Sequence, residues 1–204
     1  MSAREPRRRL PRVPGARQGG VAAAEFALLA VVFFTLVISV MELARAMYVY
    51  NTMYEATRYA ANAASMTSHR DTAALDRIRQ QAMLRTSPGS LLLGAPIGDR
   101  NVRIDYLSLR REDDDSMSLQ EIPAASLPRC PRQNRENCMR DPHSASCIRF
   151  VRARICADDD ETQCDPAAFA TFLPLLSLRF DVPHATTVRP TESFGSMPED
   201  TPCL

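Results

Sequence analysis

Between Glu25 and Glu42 the chain runs for 16 residues, Phe26 to Met41, without a charge, a proline or a glycine. This run constrains the fold more than any other feature. As a helix it covers roughly 24 Å at about 1.5 Å per residue. Taken back through Val21–Ala24 it is long enough to cross a hydrocarbon core of about 30 Å. Lipid leaves the backbone no partner but itself, so the Val, Ile and Phe residues here are compatible with a helix.

The charge on either side of the run is uneven. Residues 1–20 hold six arginines (Arg4, Arg7, Arg8, Arg9, Arg12 and Arg17) against Glu5 alone, whereas residues 42–204 hold 19 arginines against 22 acids. A basic tail before an apolar helix, with no basic excess after it, places the N-terminus in the cytoplasm and the rest outside. All 25 basic residues are arginine, which reads as a coding bias. Cysteine usage agrees with this orientation. Cys130, Cys138, Cys147, Cys156, Cys164 and Cys203 all fall on the outer side, and an even number in an exported domain reads as disulfides.

The apolar segment fits three readings. It is an uncut anchor; or it is a secretory signal, with Phe26–Met41 as its core and Ala44-Arg45-Ala46 as a small-x-small cleavage site; or it is a segment cut at its cytoplasmic end. Only the third gives a reason for a carboxylate at the start of the run. Gly19-Gly20 closes the basic leader, Glu25 is the fifth residue of a chain that starts at Val21, and Phe26 follows it.

This pattern resembles the processing site of type IV prepilins. The stretch G-VAAAEF-ALLAVVFFTLVISVMELARAMYVYNTMYEATRYAA resembles the TadE-like pseudopilins of tight-adherence (Flp) pilus systems. The likeness covers residues 19–64, including the alanine- and tyrosine-rich stretch Tyr48–Ala64. It is fainter over residues 175–194 and absent over 86–174. It implies cleavage by a prepilin peptidase after Gly19 or Gly20, of which the spacing to Glu25 favours Gly20 and a new amino terminus at Val21, and assembly roles for Glu25 and Phe26. In a bundle of such helices, Glu25 of one subunit would pair with the Val21 amine of the next. Each charge is costly alone in a low dielectric and tolerable with its partner. The resemblance further implies a non-enzymatic minor pseudopilin without cofactor, held by one helix in the bacterial inner membrane with its C-terminal domain in the periplasm, or incorporated in the pilus. The implied partners are other pseudopilins and the major pilin, the inner-membrane secretion platform, the prepilin peptidase and membrane lipid. The rival from another class is a secreted or anchored periplasmic binding domain unrelated to pili.

The expected organisation is a basic leader over residues 1–20, a transmembrane helix over 21–42, a helical stalk over 43–85 and a disulfide-rich outer domain over 86–204. In the stalk, Leu43, Met47, Tyr50, Tyr54, Ala61 and Met66 fall along one side, which is expected to pack on the sheet, with a partner-binding stripe as the alternative, and Glu42, Arg45, Glu55, Arg58 and Asn62 are expected in water. Asp71 is placed to cap a second helix that runs to about Arg85, with Leu75, Ile78, Ala82 and Met83 inward. Leu91-Leu92-Leu93-Gly94 is expected to tuck into the domain. Strands are expected at Asn101–Leu109, at Ile148–Ile155 with a bulge at Phe150–Val151, and at Leu176–Val182. Asp165-Pro166-Ala167 opens a short helix that Pro174 closes. The fold class is α+β: a long N-terminal membrane-inserted helix, then an antiparallel sheet domain with disulfide-rich loops.

Residues 110–147 are poor in apolar side chains and rich in turn formers, so disulfides are needed to offset their ordering entropy. The spacing favours Cys130 with Cys138 and Cys156 with Cys164, which leaves Cys147 for Cys203. No C-x-x-C pair and no histidine beside a cysteine pair marks a metal site. The acidic runs Asp113–Asp115 and Asp158–Glu161 lack the glycine turn and spacing of a calcium loop. No nucleophile motif and no phosphate-binding glycine loop occurs. The arginines of Ile148–Ile155 read as a solvated face, not a nucleic-acid surface.

Overall fold

The computed structural model describes residues 19–157, 164–170, 179–181, 185–192 and 194. The chain divides into two compact units, Met1–Met41 and Glu42–Leu204. Helix α1, Gly19–Ser65, is the described part of the first unit and the first element of the second. No proline or glycine interrupts it after Gly20. The hydroxyls of Thr35 and Ser39 donate to carbonyls one turn back, those of Val31 and Thr35, at 2.7 and 2.8 Å. Neither hydroxyl is left as an unmet donor on an apolar helix. The helix ends where the N–H groups of Met66 and Thr67 turn to the carbonyls of Ala63 and Ala64.

The second unit continues with α2, Thr72–Ala82, then β1, Val102–Arg111, and β2, Met117–Glu121. Helix α3, Pro131–Arg140, precedes β3, Phe150–Ile155; β4, Ala168–Ala170, β5, Arg179–Asp181, and β6, Thr186–Pro190, follow. Four strands form one antiparallel sheet in the order β2-β1-β3-β6, and β4 pairs with β5 separately. A long apolar helix followed by an open antiparallel sheet and disulfides is the α+β arrangement expected. Asp71 caps α2 as its position predicts, its Oδ1 accepting the Ala74 N–H at 2.9 Å. Leu75, Ile78, Ala82 and Met83 are buried.

The core forms where Val49, Met53, Ala56, Ala60 and Ala64 of α1 join Val102 and Tyr106 of β1 and Val151, Ala153 and Ile155 of β3. The spacing of three or four residues puts the α1 side chains on one stripe. Three of the five are alanine, which lets the neighbouring elements approach closely. The Oγ1 atoms of Thr57 and Thr187 lie 3.0 Å apart and join α1 to β6.

This alanine stripe displaces the expected inward stripe. Ala61 is buried and Tyr54 is half-buried, but Leu43, Met47, Tyr50 and Met66 are exposed, because the small side chains mark the close face and the bulky ones take the other. Glu42 and Arg45, expected in water, are largely covered and pair at 3.4 Å. Leu91 does tuck in, but Leu92 and Leu93 point outward.

The strand at residues 148–155 has no bulge. Its pairing with β1 runs unbroken from Phe150–Leu107 to Ile155–Val102, so Val151, Ala153 and Ile155 face the core and Phe150 the other side. Residues 168–170 form β4, not a helix after Asp165-Pro166; extended pairing with β5 overrides the local cap signal. Of the strand expected at Leu176–Val182, Arg179–Asp181 is described, as β5. The leader over 1–18, Asp158–Glu161, Pro174, Leu176–Leu178, Val182 and Cys203 lie outside the described residues.

The disulfides correct the expected pairing in part. Cys156 does bond Cys164, but Cys138 bonds Cys147, which overturns the pairs Cys130–Cys138 and Cys147–Cys203. The reason is α3. Cys130 caps that helix, its Sγ accepting the Gln133 N–H, while Cys138 sits two turns on and faces the segment that leads into β3. Cys130 is disulfide-bonded as well.

Candidate functional site

At the start of α1, Gly20, Val21, Glu25 and Phe26 are all exposed. Val21 and Glu25 stand four residues apart and so share a helix face. A Cβ added at Gly20 would meet nothing within 4 Å. Glycine within a helix costs about 0.5–1 kcal/mol relative to alanine. Nothing among the described residues packs against Gly20, so the missing side chain there is not a packing requirement. Glu25 has no ion-pair partner among the described residues. The segment after it is long and apolar enough to cross a membrane, and no part of its most apolar window is buried.

Beyond the uncharged run, α1 carries two different faces. Val49 and Met53 turn into the core, while Leu43, Met47 and Tyr50 stay exposed. The rings of Tyr50 and Tyr54 meet edge-on with centroids 4.9 Å apart. Their hydroxyls lie 3.4 Å apart, and this hydrogen bond is the main cause of a raised Tyr50 pKa. Arg45 Nε donates to the Leu93 carbonyl at 2.6 Å, tying α1 to the loop after α2.

The arginines of β3 do not form a solvated face. Register sets Asp105 opposite Arg152 and Arg103 opposite Arg154. Asp105 Oδ2 takes Arg152 Nε at 3.0 Å and Arg154 Nη2 at 2.7 Å, and Arg103 Nε lies 3.4 Å from Oδ1. Glu121 contacts Arg152 and Arg154 from the end of β2. The Asp105 side chain is only 4% exposed, so this is a largely covered ion network that knits three strands. It borders a cavity of about 920 Å³ lined by Leu75, Arg79, Arg103, Tyr106 and Ile122 among others. The carboxylates that reach this cavity from the sheet, Asp105 and Glu121, are engaged by arginine, an arrangement suited to holding strands together and not to proton transfer.

The exposed helix with one carboxylate near its start is therefore the feature that calls for a functional explanation. Residues 20–62 match the family model of the TadE-like protein. This segment is TadE-like. The match begins at Gly20 and ends within the alanine-rich part of α1, so the TadE-like segment is a single helix that includes Glu25, the apolar run and most of the core-facing stripe. The fainter likeness over residues 175–194 is no part of it. No curated protein and no solved structure matches the chain. The TadE-like pattern was legible from Gly20, Val21, Glu25 and Phe26. The Arg45–Leu93 clamp and the Asp105 network were not, because each joins residues more than forty positions apart.

Proposed function

We propose that this chain is a minor pseudopilin, a membrane-anchored structural subunit in the assembly of a tight-adherence (Flp) pilus. The observation that carries the reading is the TadE-like match over residues 20–62, which falls on an exposed apolar helix with a single acid, Glu25, at its start. In this reading a prepilin peptidase cuts after Gly20, whose missing side chain leaves the scissile bond open to approach. The Val21 amine then pairs with Glu25 of a neighbouring subunit and fixes the axial offset between helices. The unit from Glu42 onward lies on the periplasmic side, where its disulfides form, and meets other pseudopilins, the major pilin or the secretion platform.

The test is the N-terminal mass of the exported protein, followed by piliation of a Glu25→Ala strain. A chain starting at Val21, and a variant that inserts but fails to assemble, are the expected results. A start at Met47 would make the segment a secretory signal, and an intact Met1 an uncut anchor; either overturns the reading.

A further inference from the structure

The loop after α2 is built to hold two leucines outward. The Leu91 N–H donates to the Ile97 carbonyl at 2.8 Å, the Gly94 N–H to Leu91 at 2.9 Å, and the Ile97 N–H to Gly94 at 3.0 Å. Leu91 and Ile97 are buried and root the loop in the core. A Cβ on Gly94 would come within 2.8 Å of the Leu91 side chain, so glycine keeps this turn tight. Leu92 and Leu93, at its tip, are 71% and 52% exposed.

Two arginines fix where this tip stands and what surrounds it. Arg45 Nε holds the Leu93 carbonyl at 2.6 Å. Arg45 lies four residues beyond Met41, the last residue of the uncharged run, which is about 6 Å along a helix. About 20 residues counted back from Met41 fill a hydrocarbon core, so Arg45 stands at the level of the headgroups. Arg85, itself exposed, donates from Nη1 to the Ser90 carbonyl at 3.3 Å, at the root of the loop. Exposed leucines held about one helical turn beyond the uncharged run, with the exposed Arg85 at the root of their loop, have the composition of a segment that enters the boundary between headgroups and acyl chains of a bilayer.

We propose that the Leu92–Leu93 tip is a second membrane contact, inserted into the lipid surface from which α1 emerges. With two points of attachment, the unit from Glu42 onward is held at a fixed tilt to the membrane and keeps the Leu92–Leu93 end toward the lipid. This inference rests on the reading of α1 as a membrane helix, and the experiment separates the two.

The chain has no tryptophan, so each inserted one reports alone. Four full-length variants, Phe33→Trp, Leu92→Trp, Leu93→Trp and Leu84→Trp, are reconstituted in vesicles of phosphatidylethanolamine and phosphatidylglycerol, with and without lipids brominated near the top and near the end of their acyl chains. Phe33 lies within the apolar run. Leu84 is the control: it is 73% exposed and follows Gln81, which Tyr59 holds at 2.6 Å. Tyr59 is roughly 21 Å further along α1 than Arg45. The expected result is blue-shifted, bromolipid-quenched emission from Trp at 33, 92 and 93, and red-shifted, unquenched emission at 84. Quenching at 33 with positions 92 and 93 behaving like 84 overturns the second contact and leaves the anchor standing. No quenching at 33 overturns the anchor, and the second contact with it. Blue-shifted emission at 92 and 93 without quenching means that protein covers the tip, a second copy or another subunit, and also overturns the proposal. All four positions are exposed, so an unchanged thermal midpoint is expected and checks that each variant folds.

Discussion

The carboxamide of Asn134 grips the backbone of Ile148 from both sides: its Oδ1 accepts the Ile148 N–H at 2.8 Å, and its Nδ2 donates to the Ile148 carbonyl at 3.3 Å. A side chain on α3 thus stands in for a strand partner just before β3 begins. Asn134 is buried, so water cannot replace it. In Asn134→Ala the Thr191 hydroxyl still reaches the Ile148 carbonyl, but the N–H is left unmet. The expected cost is about 1–3 kcal/mol, read from urea unfolding of the detergent-solubilised chain. Asn134→Asp keeps the acceptor but sets a second oxygen against the Ile148 carbonyl and buries a charge near neutral pH, so it should not recover the loss.

The two described disulfides bracket β3. Cys138–Cys147 closes just before it, and Cys156–Cys164 begins at the residue after it. β3 pairs with both β1 and β6, so the bonds pin the strand on which the sheet depends. Replacing either pair by serine should lower stability by about 2–4 kcal/mol. Reduction of the wild-type chain, which also opens the Cys130 disulfide, should cost at least the combined loss. A midpoint that does not move on reduction would show that the sheet holds β3 unaided.

What the sequence revealed and what it hid divides along local and distant causes. The apolar run, the Asp71 cap and the alternation of β1 are set by neighbours in the chain, and each is found where its residues predict. Helix α3 and strand β2 lie in the stretch that looked too polar to order. Helix α3 is held by Asn134 reaching Ile148 and by a disulfide that no spacing rule selects, and β2 by its pairing with β1. β6 was hidden for another reason. It is an edge strand with Pro190 at its end and Val188 as its only large apolar residue, so it carries little alternation to read. The functional end of α1 was legible because a glycine pair and a lone glutamate form a pattern. The outward turn of Leu92 and Leu93 was not, because three leucines in a row do not say which of them a fold will bury.

Asp105 anchors three arginines, and its partners cannot compensate for its loss. Asp105→Ala leaves Arg103, Arg152 and Arg154 with Glu121 as the remaining acid of the network. Breaking a buried pair by removing one partner typically costs about 3–5 kcal/mol. The arginines here are roughly one-fifth exposed, so solvent screening places the expected loss at the lower end of that range. A double-mutant cycle of Asp105→Ala with Arg152→Ala measures the direct pair. A coupling energy near zero would mean that Glu121 and solvent already satisfy Arg152.

His69 gives the fold a dependence on pH whose sign can be fixed. Its ring is buried between the break after α1 and the segment before α3, where Nε2–H donates to the Pro128 carbonyl at 2.7 Å. Burial, opposed in part by this hydrogen bond and helped by the charge of Arg70, lowers its pKa below the ordinary value of 6.5. With the pKa depressed in the fold, the unfolded chain takes up the proton first as pH falls. The stability due to a neutral His69 is therefore complete above about pH 6.5 and drains away below it, until the pH reaches the folded pKa. Arg70 Nε shares the Pro128 carbonyl at 2.9 Å, and so sets a second positive charge beside any imidazolium that forms. The expected observation is a denaturation midpoint that falls between pH 7 and 5.5 in the wild-type chain and falls less in His69→Gln, which keeps a donor but cannot titrate. Parallel slopes for the two would place the acid sensitivity of this unit in its carboxylates instead.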